Sequence, residues 1–100
     1  LLRFAHQFRT REWPSSRLPA IYYDPRSLER DTAKRSSLHA KCIVIDHTTT
    51  LVSSANFTEA AQRRNIELGA LVHSQRFAIR VVEHFELLAS TQMLLRLPGV

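Results

Sequence analysis

The tightest constraint on this chain lies between Leu38 and Ser54. Apolar side chains dominate Ala40-Lys41-Cys42-Ile43-Val44-Ile45, a polar stretch Asp46-His47-Thr48-Thr49 follows, and Thr50 to Ser54 resumes a strand-like pattern. Two such runs around a short polar turn predict an antiparallel hairpin. The first strand is apolar on both faces, so it is expected to be central in its sheet and covered on each side. Yet His39 and Lys41 stand at its head, two residues apart and hence on one face, while Asp46 falls on the other. An imidazole or ammonium buried there without partners costs several kcal/mol. Partners or an anionic ligand are therefore required.

The flanks supply the rest of a layered fold. Leu1, Phe4, Ala5 and Phe8 recur at helical spacing, with a strand running into a helix as the alternative. Pro14-Ser15-Ser16 and Pro19 mark a loop, and Ala20 to Tyr23 reads as a short strand ended by Asp24-Pro25. Arg26 to Ser37 is polar and basic, a surface loop or short helix. Trp13 has no aromatic neighbour in the sequence and gives no sign of a stacking platform. Beyond the hairpin, Phe57 to Arg64 is expected to be a short helix, with Thr58 as N-cap and Glu59 in the first turn. Ile66 to Val72 reads as the next strand, with Glu67 a buried polar residue within it. From Gln75 to about Thr91, Phe77, Val81, Phe85 and Leu88 make one face of an amphipathic helix, with Arg76, Arg80, Glu83 and Glu86 elsewhere on the wheel. Pro98-Gly99 ends the last element. This order implies a single α/β or α+β domain without internal repeats.

Length and charge narrow the class. One hundred residues make one small domain or part of a larger one, and the opening Leu1-Leu2-Arg3-Phe4 suggests a piece of a longer protein. Fourteen Lys and Arg against nine acids leave a net charge of +5, which favours nucleic acid or acidic headgroups as partners. No apolar run reaches the roughly 18 residues of a membrane span. The single cysteine, Cys42, excludes an internal disulfide and a cysteine-based metal cluster, and suits the reducing cytoplasm. Cys42 faces away from His39 and reads as a small apolar filler.

The remaining polar residues of the apolar segments converge. Ser54 and Asn56 lie two apart at the far end of the second hairpin strand, which the antiparallel return brings beside His39 and Lys41. The helix starting near Phe57 adds free backbone N–H groups suited to an oxyanion. One ligand accounts for all of these. A phosphodiester needs donors around its non-bridging oxygens (Lys41, Asn56, Ser54), a nucleophile in line with the leaving oxygen (His39) and a carboxylate to fix the imidazole tautomer (Glu67). Asp46 reads as a turn-forming residue. His6, His47, His73 and His84 lack this context and read as surface or packing residues.

The pattern His39-x-Lys41-x4-Asp46, then Ser53-Ser54-x-Asn56, then Asn65-x-Glu67, resembles the signature of the phospholipase D superfamily, with Ser53 where glycine is usual. The run from Ser36 to Val72 is similar in particular to the phospholipase-D-like components of the DISARM anti-phage defence system. The resemblance implies a phospholipase-D-like α-β-α sandwich with a mixed sheet, present here as an incomplete half. It implies chemistry through a phosphohistidine, without metal or other cofactor. His39 would be nucleophile or acid/base, Lys41 and Asn56 would bind phosphate, Ser54 would support them, Glu67 would orient His39, and Asp46 would be structural. That chemistry uses two histidines, and no second His-x-Lys occurs. The second is expected from a symmetric homodimer or from a missing upstream half. Substrate stays open among DNA, RNA and phospholipid, with the basic charge favouring nucleic acid. The competing reading is a catalytically weak phosphate-binding or assembly module that joins other proteins of a defence complex.

Overall fold

In the computed structural model, which describes residues 1–13, 15–59 and 63–99, the chain divides into two units, Leu1–Leu38 with Leu88–Val100, and His39–Leu87. The first unit opens with helix α1 (Leu2–Gln7), which continues as a π-helical turn over Phe8–Glu12. The Trp13 N–H closes that turn on the Phe8 carbonyl at 3.0 Å. The wider turn swings the Trp13 ring onto Phe8, centroids 5.7 Å apart, and Phe8 in turn stacks on Phe4 at 6.3 Å. Trp13 thus has an aromatic neighbour in Phe8 that its position in the sequence concealed, because an ordinary α-helical register does not bring residues five apart together.

Strand β1 (Tyr22–Tyr23) pairs antiparallel with β5 (Leu95–Arg96) at the other end of the chain. Asp24 then stops the strand and starts a 3-10 turn, Pro25–Leu28. Its carboxylate accepts the Arg26 backbone N–H at 2.9 Å and is gripped by the Arg26 guanidinium at 3.0 and 2.8 Å. The guanidinium hydrogen bonds hold the Asp24 carboxyl below its ordinary range, outweighing a burial that pushes it up. Among the described residues, Ala5, Leu94 and Leu97 are the buried apolar residues of this unit.

The second unit holds the hairpin. Strands β2 (Cys42–Ile45), β3 (Thr49–Ser53) and β4 (Gly69–His73) form an antiparallel sheet in the order β2-β3-β4. The Thr48 N–H donates to the Ile45 carbonyl at 3.0 Å, and Asp46 and His47 between them sit at φ 52 and 54. Two positive φ angles in a row are the type I′ turn, whose twist matches that of the strands it joins. Helix α2 (Gln75–Ser90) follows β4, with Ser74 as N-cap accepting the Phe77 N–H at 3.2 Å. The architecture is α/β as the element order implies. Its described strand pairs are all antiparallel and fall in two small sheets, where one mixed sheet was expected.

Three further expectations are corrected. Central place belongs to β3, and β2 lies at the edge of the described sheet. Nor are both faces covered. The register puts Val44, Thr50 and Val72 on one face and Ile43, Leu51 and Leu71 on the other. Thr50 is fully buried on the first, whereas Ile43, Ile45 and Leu71 on the second are 44%, 53% and 57% exposed. The residues of β2 are suited to burial on both sides, and the described residues half-bury Cys42 and Val44 on one and leave Ile43 and Ile45 exposed on the other. Finally, the strand expected from Ile66 begins at Gly69, leaving Glu67 exposed in the approach to it. The cause is Ser54, whose hydroxyl accepts the Leu68 N–H at 3.1 Å while its own N–H donates to the Leu68 carbonyl at 3.0 Å. A side chain takes the place of the next ladder partner, and regular pairing stops at Ser53 with Gly69.

Of the helix expected over Phe57 to Arg64, residues 60–62 lie outside the described residues, and Glu59 and Arg63 pair at 3.2 Å with the spacing of one helical turn. Among the described residues, no helix is long and apolar enough to cross a membrane.

Candidate active site

The head of β2 and the tail of β3 are tied together by one backbone bond, Ser53 N–H to the Lys41 carbonyl at 3.0 Å. This continues the hairpin ladder one step past the regular strand and fixes Lys41 beside Ser53. His39 and Lys41 fold onto one another. The Lys41 ammonium lies 2.9 Å from His39 Nδ1 and donates to the His39 carbonyl, also at 2.9 Å. An ammonium has no acceptor capacity, so Nδ1 is the acceptor here, and the neutral ring then carries its proton on Nε2. His39 is exposed and Lys41 half-buried, an arrangement open to an incoming anion.

Ser54 and Glu67 form the second pair. The Ser54 hydroxyl donates to Glu67 Oε2 at 2.5 Å and approaches the Leu68 carbonyl at 3.2 Å. Glu67 is held by this contact, and among the described residues no hydrogen bond joins it to His39. Asn56 is exposed and makes no side-chain hydrogen bond among them. Asp46 lies in the type I′ turn, at the opposite end of β2 from His39. The structure therefore joins His39 to Lys41 and Ser54 to Glu67. The backbone alone links the two pairs, at the β3 terminus where Ser53 is bonded to Lys41 and Ser54 is the next residue; among the described residues no side-chain hydrogen bond joins one pair to the other.

His39 and Lys41 open onto a groove of about 500 Å³ whose far wall is α2. Phe77, Val81 and Phe85 face Cys42 and Val52 across it, and Arg80 and His84 stand on the same wall. Cys42 is half-buried and a free thiol. Arg80 and His84 were not among the residues expected at the site. The signal was in the helical wheel, since at roughly 100° per residue Arg80 and His84 adjoin Phe77 at one edge of the apolar stripe.

Residues 9–89 match the protein family described as cardiolipin synthase, PLD-like domain. The chain belongs to this PLD-like family. No curated protein and no solved structure matches it. The residues singled out in the sequence, His39, Lys41, Asp46, Ser54, Asn56 and Glu67, all lie inside the matched segment, and membership places the PLD-like chain among proteins of phosphodiesterase-type chemistry.

Proposed function

We propose that this PLD-like chain is a metal-independent phosphodiesterase that attacks nucleic acid through His39. The observation that carries the reading is the 2.9 Å contact between Lys41 Nζ and His39 Nδ1 at an open groove. It sets a cation beside an imidazole where a phosphate oxygen can take the ammonium. When it does, Nδ1 is released to hold the ring proton, and Nε2 is left with the lone pair that attacks phosphorus. The N–P bond forms as the P–O bond to the leaving group breaks, and the leaving oxygen takes a proton from a second imidazole. That imidazole then removes a proton from water, whose oxygen displaces His39 from phosphorus. We assign the second imidazole to His39 of the partner subunit in a symmetric dimer. In this reading Lys41 and Asn56 hold the non-bridging oxygens, and Glu67 stabilises Nδ1–H once it exchanges Ser54 for His39.

The matching test is cleavage of an activated diester and of labelled single-stranded DNA in the presence of a chelator. His39→Ala abolishes both, and an acid-labile phosphoryl adduct accumulates on the wild type. Unchanged turnover in His39→Ala would refute the assignment. One observation favours a second reading, a phosphate-binding module recruited into an anti-phage defence complex: Glu67 is engaged by Ser54 and not by His39. DNA binding without cleavage of any diester decides for that module. The description of the matched family directs a further arm to phospholipid vesicles, and turnover confined to them moves the substrate to lipid.

A further inference from the structure

The groove beside His39 and Lys41 is basic on both of its walls. On the strand side stand His39 and Lys41, and on the α2 side Arg80 and His84, one helical turn apart. The rest of the lining is largely apolar, with the rings of Phe77 and Phe85 and the side chain of Val81 on the α2 wall facing Cys42 and Val52 on the strand wall. Among the described residues no carboxylate lines the groove; Glu83 and Glu86 lie on other faces of the helix. A single phosphate at His39 and Lys41 leaves Arg80 and both rings uncovered. An occupant that satisfies the whole groove needs an anionic group at each wall and an apolar, ring-sized body between them.

Resting on the reading above, we infer that Arg80, with His84 beside it, is a second phosphate subsite and that the groove accommodates one nucleotide step of a single strand. The scissile phosphate lies at His39 and Lys41, the neighbouring phosphate at Arg80, and a base against Phe77 and Phe85. Every base has a π-face, so stacking on these rings is tolerant of sequence. Arg is suited to the neighbouring phosphate because its fork presents two parallel N–H donors. A bilayer lipid fits less well, because basic side chains stand beside the apolar lining on both walls of the groove.

The test is binding, kept separate from turnover. Fluorescence anisotropy of a labelled oligothymidylate is followed across a salt series with chelator present. Each phosphate contact on a single strand contributes roughly 0.7 to the slope of log affinity against log salt. Arg80→Ala is expected to lower the slope by about that amount and to weaken binding about ten-fold, with the slope restored by Arg80→Lys. Arg76→Ala removes the same charge from the same helix outside the groove and is expected to change the slope less. Phe77→Ala weakens the oligothymidylate more than an abasic oligomer of the same length. Equal effects of Arg76→Ala and Arg80→Ala overturn the subsite, reducing it to diffuse charge. So does Arg80-dependent binding to phosphatidylglycerol vesicles by a chain that ignores the oligomer. Because the readout is affinity, a failed subsite leaves the His39 chemistry standing, and a catalytically silent His39 leaves the subsite standing.

Discussion

Thr50 sits fully buried on β3, and its hydroxyl has no hydrogen-bond partner among the described residues. A buried hydroxyl without a partner costs about 1–3 kcal/mol relative to one that keeps its hydrogen bonds. Valine has nearly the same shape and no such requirement, and its β-branch suits a strand equally well. Thr50→Val is therefore expected to raise unfolding stability by about 1 kcal/mol in a urea titration, with an unchanged m-value. A loss of stability would mean that the hydroxyl finds a partner in solution. His39 and Lys41 obey a different rule at the same scale. Neither is deeply buried, so the several-kcal/mol cost that argued for a ligand from the sequence is largely absent. What remains is the direct contact of the two side chains, which alternation along a strand anticipated by placing both on one face.

At the scale of elements, the hairpin was legible because its signals are local. Alternation set the two strands, and polar residues marked the turn between them. The turn also carries strain that can be relieved. His47 occupies the second left-handed position, φ 54, where an L-residue other than Gly or Asn is costly and glycine is not. His47→Gly is expected to stabilise the hairpin by about 0.5–1 kcal/mol, read as a rise in thermal midpoint. A fall would show that the His47 side chain contributes contacts that outweigh its backbone. The elements that were not legible owe their existence to distant partners. β1 lies inside the strand expected over Ala20 to Tyr23, but its partner β5 is two residues long and pairs with it across most of the chain, too short for any periodicity to register. The start of β4 was misplaced because Ile66, Glu67 and Leu68 alternate as a strand does, while Ser54 diverts the ladder with its hydroxyl. The Ser54–Glu67 contact follows from that diversion and has no signature in spacing alone. Arg80 and His84 were hidden for the converse reason. Their spacing was visible, but only the position of α2 opposite Cys42 and Val52 makes them part of a groove.

For the molecule as a whole, the number of histidines decides how the chemistry can be completed. The proposed reaction needs one imidazole on phosphorus and another at the leaving oxygen, and these 100 residues hold a single His-x-Lys. In the proposed dimer a two-fold axis through the phosphate would supply the second from an identical chain, an isologous arrangement in which one His39 serves as nucleophile and its counterpart as acid. The outward face of the β2-β3-β4 sheet, with Ile43, Ile45 and Leu71 exposed, leaves this unit with apolar surface still to bury, as a subunit does before association. The dimer makes a quantitative prediction about mixtures. When wild type is equilibrated with an equal amount of His39→Ala, half of the wild-type chains enter mixed dimers, which hold only one of the two required histidines. Diesterase activity per wild-type chain then falls to about half, and continues toward zero as the mutant is added in excess. If the wild-type chains keep their full activity at every ratio while size measurements show that subunits exchange, each active site draws its second proton carrier from its own chain, and the two-fold arrangement is dismissed.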